Sequence, residues 1–112
     1  MKYIIPQDKI DSIVFKYLDT TLKRLEKRKP MNYKGILFIY PNEGYGILGW
    51  KNDGALYISY KLINEISSVF GLDRFDSKSI IGRWVSDRYQ LEVINTFFEF
   101  DFTLLRLAID TN

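Results

Sequence analysis

The run Gly35-Ile36-Leu37-Phe38-Ile39-Tyr40 limits what this chain can fold into more than any other stretch, because it is apolar on both sides of a strand. Residues two apart share a strand face, so Ile36, Phe38 and Tyr40 point one way while Leu37 and Ile39 point the other. A strand at a water-facing sheet surface alternates apolar with polar; this one needs cover on both faces. Helices supply one cover. A further layer or a second copy of the chain must supply the other, and on that ground we expect a homodimer.

The neighbouring sequence supplies the rest of a sheet and its helices. The β-rich run Tyr33 to Tyr40 ends at Pro41, and the runs Tyr45 to Lys51 and Ala55 to Tyr60 flank Asn52-Asp53-Gly54, a strong hairpin signal. Ahead of them, Ile10, Ile13, Val14, Tyr17, Leu18, Leu22 and Leu25 recur at helical spacing, which predicts an amphipathic helix from Gln7 to Lys29. Asp8 and Asp11 at its start and Lys27, Arg28 and Lys29 at its end suit the helix dipole, and Pro30 stops it. A second helix is expected over Lys61 to Phe70, with Leu62, Ile63, Ile66, Val69 and Phe70 inward and Gly71 as its cap. A third runs from Ser77 to Tyr89, capped by Asp76 or Ser77, with Ile80, Ile81, Trp84 and Val85 inward. The tail Leu91 to Ile109 is β-rich, with Phe98, Phe100, Phe102 and Leu104 opposite Glu99, Asp101 and Thr103. The order α-β-β-β-α-α-β predicts an α+β fold. It is a mostly antiparallel sheet with a long N-terminal helix and a central helix pair, in one domain over residues 1–112.

Cysteine and histidine are both absent. That removes a Cys/His zinc site, a Cys–His or Ser-His-Asp nucleophile, and a histidine base. Catalysis would fall to carboxylates, Lys, Tyr or an oxygen-ligated metal. Glu99 and Asp101, about 7 Å apart along one strand face, are the pair placed for it. The wet side of a half-buried strand accounts for them better, and we expect neither an enzyme nor a cofactor. No apolar run is long enough to span a bilayer, and Met1-Lys2-Tyr3-Ile4-Ile5-Pro6 is too short for a secretory signal. With cysteine absent, the expected location is cytoplasmic, without a membrane partner.

The net charge is only +2, but nine of the sixteen Lys/Arg and four of the fourteen Asp/Glu fall within residues 1–34. On a continuous helix Lys9, Lys16, Lys23 and Lys27 occupy a sector of about 40°, beside an acidic stripe of Asp8, Asp19 and Glu26. The row would run roughly 27 Å and, with Lys34, could follow a phosphate backbone; it also reads as a solvated face with pairs such as Asp19–Lys23. Ile66-Ser67-Ser68-Val69-Phe70-Gly71-Leu72-Asp73 resembles the first half of a helix-turn-helix, whose second helix would present Lys78, Arg83 and Arg88. Its turn, however, is too long, and Ser77 stands where an apolar residue belongs. An ordinary helical hairpin explains it. Gly44-Tyr45-Gly46-Ile47-Leu48-Gly49 matches G-x-G-x-x-G, but a hairpin follows instead of a helix, so a tight turn and close strand packing account for the glycines. Tyr40, Tyr45, Trp50, Tyr57 and Tyr60 cluster in the sheet region, where exposed rings would make a contact surface and buried ones a core.

The stretches Tyr45-Gly46-Ile47-Leu48-Gly49-Trp50 and Ile81-Gly82-Arg83-Trp84-Val85-Ser86-Asp87-Arg88-Tyr89-Gln90-Leu91 are similar to those of short uncharacterised proteins of phage and environmental origin. That resemblance implies a viral or mobile-element accessory protein and brings no functional residue with it. The function expected from the residues is a non-catalytic protein-binding module, homodimeric or bound to another protein. The alternative is a nucleic-acid-binding accessory protein using the basic first helix, the helix-turn-helix-like pair, or both.

Overall fold

The structure, a computed structural model, describes residues 7–29, 34–39 and 46–99. Its elements are α1 (Gln7–Thr21), β1 (Glu26–Arg28), β2 (Gly35–Ile39), β3 (Gly46–Lys51), β4 (Ala55–Ser59), α2 (Tyr60–Phe70), α3 (Arg74–Tyr89) and β5 (Asn95–Glu99). The fold is α+β, as expected. The strands lie in chain order across one sheet, antiparallel from β1 to β4, with β5 added parallel to β4. Among the described residues no helix is long and apolar enough to cross a membrane.

The register sorts side chains by face. Phe38, Leu48, Ile58 and Phe98 form one row across β2 to β5, and Ile36, Trp50, Leu56 and Thr96 another on the same face. That face meets the helices: Phe38, Leu48, Leu56 and Ile58 join Val14 and Leu18 of α1, Ile63 and Ile66 of α2, and Ile80, Ile81, Trp84 and Val85 of α3 in one core. The opposite row is Leu37, Gly49, Tyr57 and Phe97. Leu37 and Ile39 are buried within the single chain although they lie outside that core.

Two helix boundaries depart from expectation. The first helix ends at Thr21 instead of Lys29, and Glu26-Lys27-Arg28 forms an edge strand paired with β2. Helix propensities differ by only tenths of a kcal/mol among such residues, so the ladder offered by β2 decides the outcome. A short, charged strand also suits a sheet edge. The third helix begins at Arg74, before the expected Ser77, because Asp73 caps it: its carboxylate accepts the Asp76 N–H at 2.7 Å. Val69 and Ile13, expected inward, are about half exposed. The expected β-rich tail is seen as β5, with residues from Phe100 onward outside the described set.

The Lys51–Gly54 turn forms as predicted, with Gly54 N–H donating to Lys51 C=O at 2.9 Å and Ala55 N–H to the Asp53 carboxylate at 3.0 Å. Of its residues Gly54 alone has positive φ, at 93°, and its C=O accepts from both Ile94 and Asn95. The hairpin turn therefore also anchors the start of β5. A second close approach lies at Gly82, where a Cβ would come within 2.7 Å of the Thr96 methyl and hold β5 away from α3.

Gly54→Ala combines left-handed strain with a Cβ placed 2.8 Å from Ile94. It is expected to lower stability by at least about 1–2 kcal/mol, seen as a lower urea midpoint at unchanged slope.

Candidate interaction surface

At the end of the parallel β4–β5 pair, three elements bring rings and cations together. Tyr60 opens α2 directly after β4, and Phe98 comes from β5. Arg74, Phe75 and Lys78 come from the first turns of α3, where steps of three and four residues place them on one side. Phe98 is the hub: its ring centroid lies 6.2 Å from that of Tyr60 and 6.2 Å from that of Phe75. The Arg74 guanidinium sits 4.9 Å from the Tyr60 ring, and Lys78 Nζ sits 5.2 Å from Phe75 and 4.8 Å from Phe98. Phe75 is 68% exposed, the most exposed large apolar residue among those described.

A smaller group lies on the opposite sheet face. Tyr57 stacks on Phe97 at 5.2 Å with nearly parallel rings, and Lys51 Nζ stands 5.0 Å over Tyr57. Phe97 is 42% exposed.

The charges divide into two kinds. Among the described residues the ion pairs are Arg28–Glu26, Arg83–Asp11 and Arg88–Asp19. Lys51, Arg74 and Lys78 have no ion-pair partner among the described residues and rest on rings instead. The nearby Asp53 and Asp73 carboxylates are turned to backbone amides.

The other sequence-derived candidates do not assemble into one surface. Lys9 and Lys16 stand on α1, Lys23 in the turn after it, Lys27 on β1 and Lys34 just ahead of β2. The straight lysine row needed a helix reaching Lys27, so the end of α1 at Thr21 breaks it. Lys27 instead lies 5.7 Å from the Tyr89 ring, whose phenol is pushed above its ordinary pKa by burial. On α3, Arg83 makes a two-point contact to Asp11 of α1 at 2.9 and 3.1 Å. Arg88 faces Asp19 at 3.7 Å, and the same Asp19 oxygen accepts the Trp84 N–H at 2.8 Å. The acidic residues of α1 thus dock α3. Of Lys78, Arg83 and Arg88, Lys78 alone belongs to the ring cluster, where Arg74 joins it.

The helix pair has the three-residue turn Gly71-Leu72-Asp73, shorter than the sequence reading allowed. Gly71 takes the left-handed C-cap, as expected. Buried Ser77, in the place of an apolar residue, donates to Asp73 C=O at 2.8 Å and meets the Ser67 hydroxyl at 2.9 Å. Yet α3 is held against α1, α2 and β5, with Arg83 and Arg88 turned to α1, so the pair is a helical hairpin packed on a sheet.

The aromatic candidates also separate. Trp50 faces the core side and donates its indole N–H to Glu92 C=O at 2.9 Å. Tyr57 belongs to the outer pair and Tyr60 to the cluster, while Tyr40 and Tyr45 lie outside the described residues. Asp101 does too. Among the described residues no group of three metal-ligating side chains is close enough to hold an ion. Arg74 and Phe75 were missed because the sequence reading began α3 at Ser77; taking Asp73 as the cap would have placed Arg74, Phe75 and Lys78 on one helical face. An open groove of about 500 Å³ between α3 and the approach to β5 is lined by Ser79, Ser86, Asp87 and Gln90 against Val93 and Ile94.

No protein-family model, curated protein or solved structure matches the chain.

A double-mutant cycle on Asp11→Asn and Arg83→Gln is expected to give a coupling of about 0.5–1 kcal/mol in chemical denaturation, shrinking with salt, as suits a half-exposed pair.

Proposed function

We propose that this chain is a small non-catalytic interaction module that meets its partner through Tyr60, Arg74, Phe75, Lys78 and Phe98. The observation that carries this reading is Phe75, left 68% exposed beside Lys78 and next in the chain to Arg74, neither cation ion-paired among the described residues. Burying a phenylalanine side chain is worth about 1.5–3 kcal/mol, and position 75 gives most of that up in the isolated chain. A partner recovers it. The absence of His and Cys supports a binding role over nucleophilic or histidine-dependent catalysis. Contact through α1 has less support, since of the lysine row only Lys9 and Lys16 stand on that helix.

If the cluster serves contact instead of folding, Phe75→Ser lowers unfolding free energy by less than about 1 kcal/mol, whereas Trp84→Ala, in the core, costs about 3–5 kcal/mol. A Phe75→Ser cost above about 2 kcal/mol would make the ring part of the fold's own core and end this reading.

A further inference from the structure

Resting on that contact surface, we infer that its occupant is single-stranded nucleic acid. Two demands must be met together. Phe75 and its neighbours offer flat apolar area, and Arg74 and Lys78 offer positive charge within about a ring's width of it. A purely apolar partner would bury the rings but strip water from the cations without replacing it, which is costly. An acidic peptide would answer the cations and leave the rings wet. A single strand presents bases with exposed π-faces and a phosphate beside each one, so both demands are met by one repeating unit. A duplex does not, because its bases are already stacked on one another and their faces are hidden.

The arrangement also differs from the basic elements elsewhere in the molecule. Arg83 and Arg88 are paired with Asp11 and Asp19, and Lys27 lies over Tyr89, a ring that packs on the core and is not left open as Phe75 is. At the end of β4–β5 the cations lie over rings, so that a base on Phe75 would bring its phosphates toward Arg74 and Lys78. Phe98, between Tyr60 and Phe75, fixes both rings to the sheet. The site takes its shape from the folded chain and needs no ordering of a loop.

The test is fluorescence anisotropy with short fluorescein-labelled oligo(dT), oligo(rU) and a mixed-sequence DNA duplex, each titrated with the full chain at several salt concentrations. We expect the single strands to bind more tightly than the duplex. Phe75→Ala should weaken single-strand binding about tenfold, in keeping with the loss of one base–ring stack. Arg74→Gln with Lys78→Gln should flatten the salt dependence by about 1.4 in log–log slope, the share of two phosphates on a single strand. Lys9→Gln with Lys16→Gln should leave both quantities unchanged. Circular dichroism checks that each variant is folded, and the exposure of Phe75 makes its replacement a mild one. No binding at low salt, preference for the duplex, or a Phe75→Ala variant that binds as well as the parent would each overturn the inference. Should the oligonucleotides fail while the parent sediments as a dimer that Phe75→Ala returns to monomer, the occupant is a second copy. That result overturns the nucleic-acid assignment and leaves the contact surface standing, whereas a large stability loss in Phe75→Ser removes the surface itself.

Discussion

The indole of Trp84 is the contact on which the arrangement of this molecule depends. It is 2% exposed, so its N–H needs a partner, and Asp19 of α1 supplies one at 2.8 Å. The ring meets Tyr89 edge-on at 5.7 Å, and Tyr89 in turn lies 4.6 Å from Phe38 of the sheet. One side chain thus ties α1, α3 and the centre of the sheet together. Arg83, beside Trp84 on α3, repeats the α1–α3 link to Asp11 near the start of α1, in a place half open to water. The buried contact makes the interface specific; the exposed one aligns it.

With α3 fixed in this way, β5 can close onto it only where the helix has no side chain, at Gly82. The approach is held from the other side by Trp50 to Glu92 C=O and by Gly54 C=O to the Ile94 and Asn95 amides. These backbone anchors leave Phe97 and Phe98 no choice of face. One joins Tyr57 on the outer surface, and the other joins the rings beside α3. A strand anchored by its backbone can carry large rings on both sides without either being needed to hold it in place.

Most of the fold was legible because it rests on local patterns. The two-sided apolar run, the Asn52-Asp53-Gly54 turn, Gly71 and the inward face of α3 each state their structure within a few residues. What escaped depended on partners far away in sequence. Glu26-Lys27-Arg28 continues a helical pattern convincingly and becomes a strand only because β2 has an edge to fill. Leu37 and Ile39 are likewise buried within the chain, which their own alternation could not reveal. For the contact surface, Lys78 and Tyr60 were recognised as contact candidates and Arg74, Phe75 and Phe98 were not. The cap was placed at Asp76 or Ser77, whereas capping by Asp73 decides where α3 starts and which residues share its first turns.

The parallel pairing of β4 with β5 has a further consequence for how this surface comes into being. Strands β1 to β4 follow one another as neighbours, so each closes a short loop, while β4 and β5 meet only across the whole of α2 and α3. The entropy of loop closure therefore falls most heavily on the last strand. Phe98 enters the ring cluster with that strand, and Arg74 and Lys78 come from the helix that precedes it in the chain. The antiparallel strands can be imagined closed without any of this surface. The cluster belongs to the chain with its final strand in place, and any opening that releases β5 dissolves it at once.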